Sequence, residues 1–378
     1  MRVTWDGRKR PYDVPALLPR QLVLSHSLTG RSAGGHLHGM KTVTIKDVAE
    51  RAGVSPKTVS RVINDEVHVR PEVREQVMRV VAELDYRPNA FARGLSSAKS
   101  FLIAMFFDDP ASVYAADLQR GALTRCRALS HHLLIEEVDR TQPDWMARLD
   151  ATLRTVKLAG AVLTPPICDW PDLIDMLEAN EVPIVRIAPG HALDRTPQVR
   201  MDDRAAAREA TEKLIALGHR DIGFIKGNPT HSATVRRWEG FCDALTAAGI
   251  SIPPKRVLQG DFTFRSGLIA AEAILGDAEP PTAIFASNDE MALAALVVAM
   301  RHQIAVPTAL SIVGFDDAPV SRMAWPQLST VRQPNPEMAA AAIDLLIGPG
   351  QQTRDGNACV ELPYEFIERG SLAANPRN

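Results

Sequence analysis

The spacing of apolar residues divides this chain into a small helical head, a short connecting segment and a large body. Between residues 44 and 84 the apolar positions recur every three or four residues, which predicts three short helices. Gly53 can adopt the positive φ of a sharp turn, and Ser55 and Pro56 suit the N-cap and the first position of the second helix. Two short helices joined by such a turn form a helix-turn-helix, and we predict this DNA-binding domain over residues 40–86.

From residue 101 onward, short apolar runs alternate with helical stretches. The runs that suit buried strands are 101–107, 132–138, 159–163, 182–187, 222–225, 283–286 and 310–315. The helical stretches between them are 118–129, 205–217, 238–248, 266–275 and 290–300. This alternation predicts doubly wound parallel sheets covered by helices. A body of this length exceeds what one sheet usually needs, so we expect two α/β lobes with a ligand cleft at the carboxyl ends of their strands.

Two segments lack a sustained period, residues 1–39 and residues 87–100. The first contains scattered Pro and Gly, and we expect it to be a disordered extension or the product of a start codon upstream of the native one at Met40. In the second, Pro88 ends the preceding helix, and Asn89 could cap a further helix too short to be stable alone. We therefore predict a hinge that becomes ordered only when something holds it.

Composition and charge narrow the class of protein. With 46% hydrophobic and 23% charged residues, the chain has the composition of a typical globular protein. No apolar run approaches the roughly 20 residues that span a bilayer. The four cysteines are scattered without a CxxC pair, which fits a cytoplasmic protein without a disulfide framework or zinc site. Lys and Arg outnumber Asp and Glu by 17 to 10 over residues 1–100 but are outnumbered 35 to 26 elsewhere. The head is therefore the part suited to a polyanion such as DNA.

Motifs for catalysis are missing from the body. The sequence contains no HExxH, no P-loop and no GxGxxG, so we predict no enzymatic activity, no metal and no cofactor. The adjacent carboxylates Asp316 and Asp317 would point to different sides of the chain, and we interpret them as structural. A solute-binding protein without a DNA role is an alternative for the body, but the helix-turn-helix argues against it.

Several runs of residues carry a more specific pattern. They are Val43–Asn64, Leu84–Asn89, Ala92–Leu95, Ala216–Ile225, Arg237–Phe241, Phe285–Ala292 and Ser311–Asp317. Together they resemble the lactose-repressor (LacI/GalR) family of bacterial transcription factors over about residues 42–372. The resemblance implies a cytoplasmic, nucleoid-associated homodimer that binds a palindromic operator in double-stranded DNA. It also implies a body similar to periplasmic binding proteins, residues 101–372, in which a small-molecule effector between the lobes changes the affinity for DNA. By this pattern the amino lobe covers about 101–199 and 330–355, and the carboxyl lobe about 200–329 and 356–372.

The resemblance also implies which residues contact DNA. Pro56, Lys57 and Arg61 are expected at base edges in the major groove, where Lys57 and Arg61 can donate to guanine and Pro56 offers only apolar contact. Leu95 is expected to insert into a minor-groove step, with Asn89 and Ala92 lining the same groove. The DNA-binding set also contains Thr44 and, as phosphate contacts, Ser55, Thr58, Ser60, Asn64 and His68.

Candidate effector residues come from the ends of the predicted strands and from what the resemblance implies, as for Arg237. They are Tyr114, Arg186, His231, Ser232, Arg237, Phe262, Asn288 and Asp289. A carboxylate, an arginine and an aromatic face suit a polyol, so we predict a sugar or a sugar derivative. Ala188 stands where several sugar-binding relatives carry an aspartate, and Arg186 could then reach the cleft and favour an acidic sugar or another anion. His231 stands where purine-responsive relatives use an arginine, so a purine or another metabolite acting as a corepressor remains the alternative.

Overall fold

The computed structural model describes residues 43–63, 69–86, 100–348, 358–375 and 377. By its contacts the chain divides into two compact units, residues 1–88 and residues 89–378. Among the described residues no helix is both long enough and apolar enough to cross a membrane. The predicted extension over residues 1–39 lies outside the described residues, as does the predicted hinge over residues 87–100 apart from Ser100. The DNA-binding candidates Asn64, His68, Asn89, Ala92 and Leu95 also lie outside them.

Three helices form the described part of the first unit. They are α1 (Ile45–Arg51), α2 (Pro56–Ile63) and α3 (Pro71–Glu83). Thr44 and Asp47 form a capping box at the start of α1, and the Ser55 side chain accepts the backbone N–H of Thr58 at the start of α2. Gly53, between α1 and α2, has a φ of 62°. The buried core shared by the three helices consists of Val48, Ala49, Ala52, Val59, Val62, Val77 and Val80.

The second unit alternates strands and helices along most of its length. Its strands are β1 (Leu102–Phe107), β2 (His132–Glu137), β3 (Gly160–Leu163), β4 (Ile184–Ile187), β5 (Gln198–Arg200), β6 (Ile222–Lys226), β7 (Val257–Gln259), β8 (Ala283–Ala286), β9 (Ser311–Val313), β10 (Thr330–Arg332), β11 (Cys359–Glu361) and β12 (Glu365–Ile367). Its α-helices are α4 (Val113–Ala128), α5 (Trp145–Thr155), α6 (Pro171–Ala179), α7 (Asp203–Ala216), α8 (Ser232–Ala247), α9 (Phe264–Leu275), α10 (Asp289–Arg301), α11 (Pro319–Met323) and α12 (Asn335–Ile347).

Two parallel sheets form the cores of two lobes. The amino-lobe sheet has the strand order β11-β5-β4-β3-β1-β2, and the carboxyl-lobe sheet has the order β7-β6-β8-β9. Every pairing within these two sheets is parallel, whereas β10 and β12 form a separate antiparallel pair. Because parallel strands direct their carboxyl ends to one edge, the loops at that edge of each sheet define the site. The predicted two-lobed α/β architecture is confirmed.

The carboxyl-terminal tail departs from the predicted lobe boundary. We placed residues 356–372 in the carboxyl lobe, but β11 pairs with β5, with Cys359 opposite Gln198, at the edge of the amino-lobe sheet. An edge strand leaves unpaired backbone groups, and the returning chain satisfies those of β5 before it continues to the carboxyl lobe. There the Ser371 hydroxyl donates to the carbonyl of Ile312 at 2.6 Å. The change of lobe therefore falls after Glu361.

Candidate functional site

The three predicted base-reading residues share one exposed face of α2. Pro56, Lys57 and Arg61 are all exposed, whereas Val59 and Val62 are buried in the core of the head. Lys57 and Arg61 lie at i and i+4, so their side chains project from neighbouring positions on the same side of the helix. This face presents two long cationic side chains close to the N-terminus of the second helix, where a helix-turn-helix meets base edges.

The predicted phosphate contacts at the helix starts also act as caps. The Ser55 and Thr58 hydroxyl oxygens lie 2.9 Å apart, and the Thr58 N–H donates to Ser55 Oγ at 3.1 Å. The Thr44 hydroxyl donates to the Asp47 carboxylate at 2.6 Å, and Ser60 is half-buried. Ser55 and Thr58 have one hydroxyl proton each, and the hydrogen bond between their oxygens uses one of the two. The other proton can be donated to a DNA phosphate.

Arg237 lies at the centre of the polar groups that gather at the strand ends of the body. It is 5% exposed, and its Nε donates to Asp203 Oδ1 at 2.8 Å while its Nη1 donates to the carbonyl of Ser287 at 2.6 Å. Its Nη1 also lies 3.8 Å from Asp316 Oδ1, and its guanidinium carbon lies 3.6 Å from the ring centroid of Phe315. One buried cation therefore joins the start of α7, the end of β8 and the crossover after β9.

Two aromatic side chains from the predicted effector set lie beside this cation, and a third, Tyr114, lies within range of its charge. Burial, and after it the charge of Asp203, raises the pKa of the Tyr114 phenol far above its usual value, against the charge of Arg237. The Phe262 ring lies 5.9 Å from the Arg237 guanidinium carbon and 5.3 Å from the His231 ring. Burial, and after it the charge of Arg237, lowers the pKa of His231 to about 4, so its imidazole is neutral at pH 7. Tyr114, His231, Arg237 and Phe262 thus form one cluster.

Asp316 belongs to this cluster, and sequence reasoning missed it. We interpreted Asp316 and Asp317 together as structural, and the structure separates them: their φ angles are 114° and 53°. Asp316 faces Arg237 and accepts from the Gln333 amide at 2.6 Å, whereas Asp317 accepts from Arg369 at 2.5 Å. A signal was present, because Asp316 follows the carboxyl end of a buried strand, where ligands bind in parallel sheets. Asp203 was missed because the strand before it, β5, has only three residues and its apolar run is too short to be predicted from the sequence.

Arg186 does not reach this cluster, which corrects our expectation. Its side chain is fully buried, and its Nε donates to Thr196 Oγ1 at 2.8 Å. Its Nη1 donates to the carbonyl of His191 at 2.8 Å, and its Nη2 donates to the carbonyl of Ala192. All three guanidinium nitrogens therefore bind the loop that follows β4. The prediction of an acidic effector loses the cation on which it depended.

Asp289 and Asn288 also carry structural contacts. Asp289 is fully buried, its Oδ2 accepts the N–H of Ala318 at 2.7 Å, and its Oδ1 accepts the hydroxyl of Thr330 at 2.6 Å. Asn288 is the N-cap of α10, and its amide donates to the carbonyl of Phe262 at 2.8 Å. These contacts let Asp289 hold the crossover segments and let Asn288 fix the backbone at Phe262. The predicted effector contacts of both residues remain predictions.

Ser232, the remaining candidate, lies where the two lobes meet. It is the first residue of α8, it is half-buried, and its hydroxyl donates to the carbonyl of Ala188 in the amino lobe at 3.4 Å. It therefore touches the opposite lobe, and its predicted effector contact remains a prediction.

A cavity of about 490 Å³ lies elsewhere in the amino lobe, between the end of β2 and α5. Its lining includes Glu136, Asp139, Trp145 and Arg148, and none of the eight predicted effector residues contributes to it. It is a competing location for a small ligand, and its residues serve as controls for the cluster around Arg237.

Asp316 makes the stability of the body depend on pH. Burial raises its pKa from 3.8 to about 6, against the opposing effects of Arg237 and Gln333. Because the folded state keeps this proton to a higher pH than the unfolded state, the stability it contributes below about pH 4 is lost as the pH rises through about 6. Asp316→Asn cannot ionise and keeps an acceptor for Gln333. We expect its free energy of unfolding, relative to the natural protein, to increase by about 2 kcal/mol between pH 4 and pH 7.

Urea unfolding at the two pH values measures this difference, and titrating groups that do not interact with Asp316 cancel in the comparison. A difference between the two proteins that stays constant with pH would show that Asp316 does not titrate in this range.

The helix-turn-helix head and the two-lobed body with a polar cluster at its strand ends define a DNA-binding regulator built on a periplasmic-binding-protein-like fold. Residues 44–89 match the family described as bacterial regulatory proteins, lacI family, and residues 211–372 match the periplasmic binding protein-like domain. The chain belongs to the LacI family of bacterial transcriptional regulators, and it is a regulator rather than an enzyme.

Individual relatives match this chain over nearly their whole length. Catabolite control protein A of Priestia megaterium is 33% identical over 87% of this chain and 99% of its own, and the HTH-type transcriptional repressor PurR of Erwinia tasmaniensis is 34% identical over 88% and 98%. Among solved structures, the lac repressor dimer bound to operator and an anti-inducer gives a TM-score of 0.74 at 28% identity, covering 88% of this chain and all of that one. The CelR–cellobiose complex gives 0.66 at 30% identity, with 87% and 99% covered.

Proposed function

We propose that this chain is a homodimeric repressor, acting in the bacterial cytoplasm, that binds a palindromic operator and responds to a neutral, hydroxyl-rich ligand. The ligand, a sugar or a sugar derivative, binds in the cleft at Tyr114, Arg237, Phe262 and Asp316, beside the neutral His231. The observation that carries this proposal is the buried Arg237, which lies between carboxylates and aromatic rings at the carboxyl ends of the strands.

The chemistry of the cluster supports a neutral ligand. Adjacent hydroxyls both donate and accept, so a carboxylate beside a guanidinium can bind a pair of them, while aromatic rings pack against the C–H face of a sugar. Arg237 already faces two carboxylates, and Arg186 is occupied by its own loop. An anionic ligand would therefore lack a free cation among these two arginines.

The comparisons support the remaining parts of the proposal. A structural neighbour is a cellobiose complex of a transcriptional regulator, which is a neutral sugar on the same fold. Another is a lac repressor dimer on its operator, which supports two heads acting together on DNA. Pro56, Lys57 and Arg61 then form the base-reading face, with Thr44, Ser55, Thr58 and Ser60 beside it.

A thermal-shift screen with neutral sugars, sugar acids and purines tests the ligand class. A ligand at about 100 times its dissociation constant stabilises the folded state by about 2.7 kcal/mol, so a bound neutral sugar should raise the melting temperature by several degrees. Tyr114→Phe and Phe262→Ala should remove most of this rise. Arg148→Ala, in the separate amino-lobe cavity, is the control and should leave it unchanged.

Two outcomes would contradict the proposal. Stabilisation by sugar acids or purines but not by neutral sugars would reject the ligand class. A response lost in Arg148→Ala and kept in both cleft variants would move the site to the other cavity.

A further inference from the structure

The turn that follows β4 is held rigidly from within the amino lobe. Ala188 has a φ of 47°, a conformation that residues other than glycine seldom adopt. The Asp169 carboxylate accepts the N–H of Gly190 at 2.9 Å and the N–H of His191 at 3.1 Å. Arg186 donates to the carbonyl of His191 at 2.8 Å, and it lies 3.7 Å from the Asp169 carboxylate. A buried cation and a nearly buried anion thus fix the turn from both sides.

The same turn contacts the carboxyl lobe. The Ser232 hydroxyl donates to the carbonyl of Ala188 at 3.4 Å, and Arg236 Nη2 donates to the carbonyl of Pro189 at 3.3 Å. Both hydrogen bonds are long and therefore weak, so the contact between the lobes depends mainly on how closely the two segments pack. A Cβ placed on Gly190 would lie 2.3 Å from the Cβ of Ser232, which is too close for two carbon atoms that are not bonded to each other. Only glycine allows the lobes to meet in this way.

We propose that residues 188–191 form a latch that joins the amino lobe to the carboxyl lobe, and that Asp169 and Arg186 are its positioning residues. The latch uses the backbone carbonyls of Ala188 and Pro189 and the missing side chain of Gly190. It therefore holds the lobes by contact between protein segments, and its strength is set by Asp169 and Arg186, which act through the turn.

Gly190→Ala tests the latch in the full-length protein. The added methyl group collides with Ser232, so the lobes must separate or the turn must move. Hydrogen exchange measured by mass spectrometry distinguishes separation of the lobes from movement of the turn. It follows one peptide over residues 188–192 and one over residues 231–237. If the lobes separate, we expect exchange to accelerate about tenfold in both peptides, because each loses its cover. Exchange that accelerates only in the first peptide means that the turn moves alone, and it would reject the latch.

A second substitution keeps the test independent of general instability. Ser232→Gly removes the atom with which the new methyl group collides, so the double variant should recover exchange close to that of Ser232→Gly alone. This non-additivity is the signature of a direct contact. His191→Ala is a further control, because the latch uses only the backbone of this exposed residue, and it should exchange like the natural protein. A double variant that exchanges as fast as Gly190→Ala would overturn the proposal.

Asp169→Asn tests the positioning role. The variant keeps the size of the side chain but replaces one acceptor oxygen with a donor and removes the charge beside Arg186. We expect about tenfold faster exchange at positions 190 and 191 and a smaller increase in the 231–237 peptide of the opposite lobe. A purely local role for Asp169 would leave the second peptide unchanged, and that result would reject Asp169 as a positioning residue.

Discussion

Replacing Lys57 by alanine is expected to reduce the preference for operator over random DNA by about 1–3 kcal/mol, which is about five- to 150-fold. Lys57 is exposed near the N-terminus of α2, on the same face as Arg61, and the opposite face of the helix is buried. A base contact contributes only where the correct base is present, so its removal lowers specific affinity and leaves non-specific affinity nearly unchanged. Gel-shift titrations with a genomic fragment selected by the natural protein, and with random duplex, give the ratio of specific to non-specific affinity.

Lys46→Ala is the charge-matched control for this experiment. Lys46 is exposed in the same head but lies on α1. Its replacement should therefore weaken the binding of operator and of random DNA by the same factor. Repeating both titrations over a range of salt concentrations separates the roles further, because each lost phosphate contact lowers the salt slope by about 0.9. If Lys57→Ala and Lys46→Ala both leave the ratio of specific to random binding intact, α2 is not the base-reading helix.

The sequence predicts best those elements that are long or fully apolar. The strand over residues 283–286 has the bounds that its apolar run predicts, and the helices over 205–217 and 266–275 are displaced by at most two residues. The run predicted over 182–187 begins two residues late, at Ile184, because Pro183 cannot donate a hydrogen bond to a sheet. Local pattern is sufficient where burial on both faces determines the residue types.

The elements that the sequence does not predict depend on distant partners. Strands β5 and β11 have three residues each, and they pair although Gln198 and Cys359 are far apart in the chain. Helix α8 begins six residues before the predicted start at Trp238, over a polar stretch whose buried face forms only against α7. No local period identifies such segments, because their stability comes from the tertiary contact itself.

The same limit applies to the site. Arg237 could be predicted because a family motif surrounds it, and it lies at the centre of the cluster. Arg186 has the same side chain but turns into its own loop, because the carbonyls of His191 and Ala192 converge on it. The crossovers likewise decide which carboxylate meets Arg237: Asp316 faces it, whereas Asp289 accepts hydrogen bonds from Ala318 and Thr330. Residue type indicates the chemistry, and the fold decides which copy of that residue type performs it.

The natural protein contains a matched pair of salt bridges that separates burial from charge. The side chains of Arg237 and Asp203 are 6% and 5% exposed and lie 2.8 Å apart, whereas those of Arg204 and Asp243 are 53% and 34% exposed and lie 2.6 Å apart. Both pairs join α7 to α8. Arg237→Ala leaves the Asp203 and Asp316 carboxylates without their cation, and we expect a loss of about 3–5 kcal/mol in the free energy of unfolding. Arg204→Ala should lose far less than Arg237→Ala, because water solvates the carboxylate that remains.

Chemical unfolding of the two variants gives the comparison, and a double-mutant cycle identifies its cause. If the loss in Arg237→Ala comes from an uncompensated carboxylate, Asp203→Asn in the same chain should recover about 2 kcal/mol of it, since the buried negative charge is then removed as well. The Asp316 carboxylate and the Ser287 carbonyl still lack their partner, so recovery is incomplete. Losses of equal size in Arg237→Ala and Arg204→Ala, or a cycle without recovery, would mean that Arg237 stabilises the body by packing over Phe315 rather than by its charge.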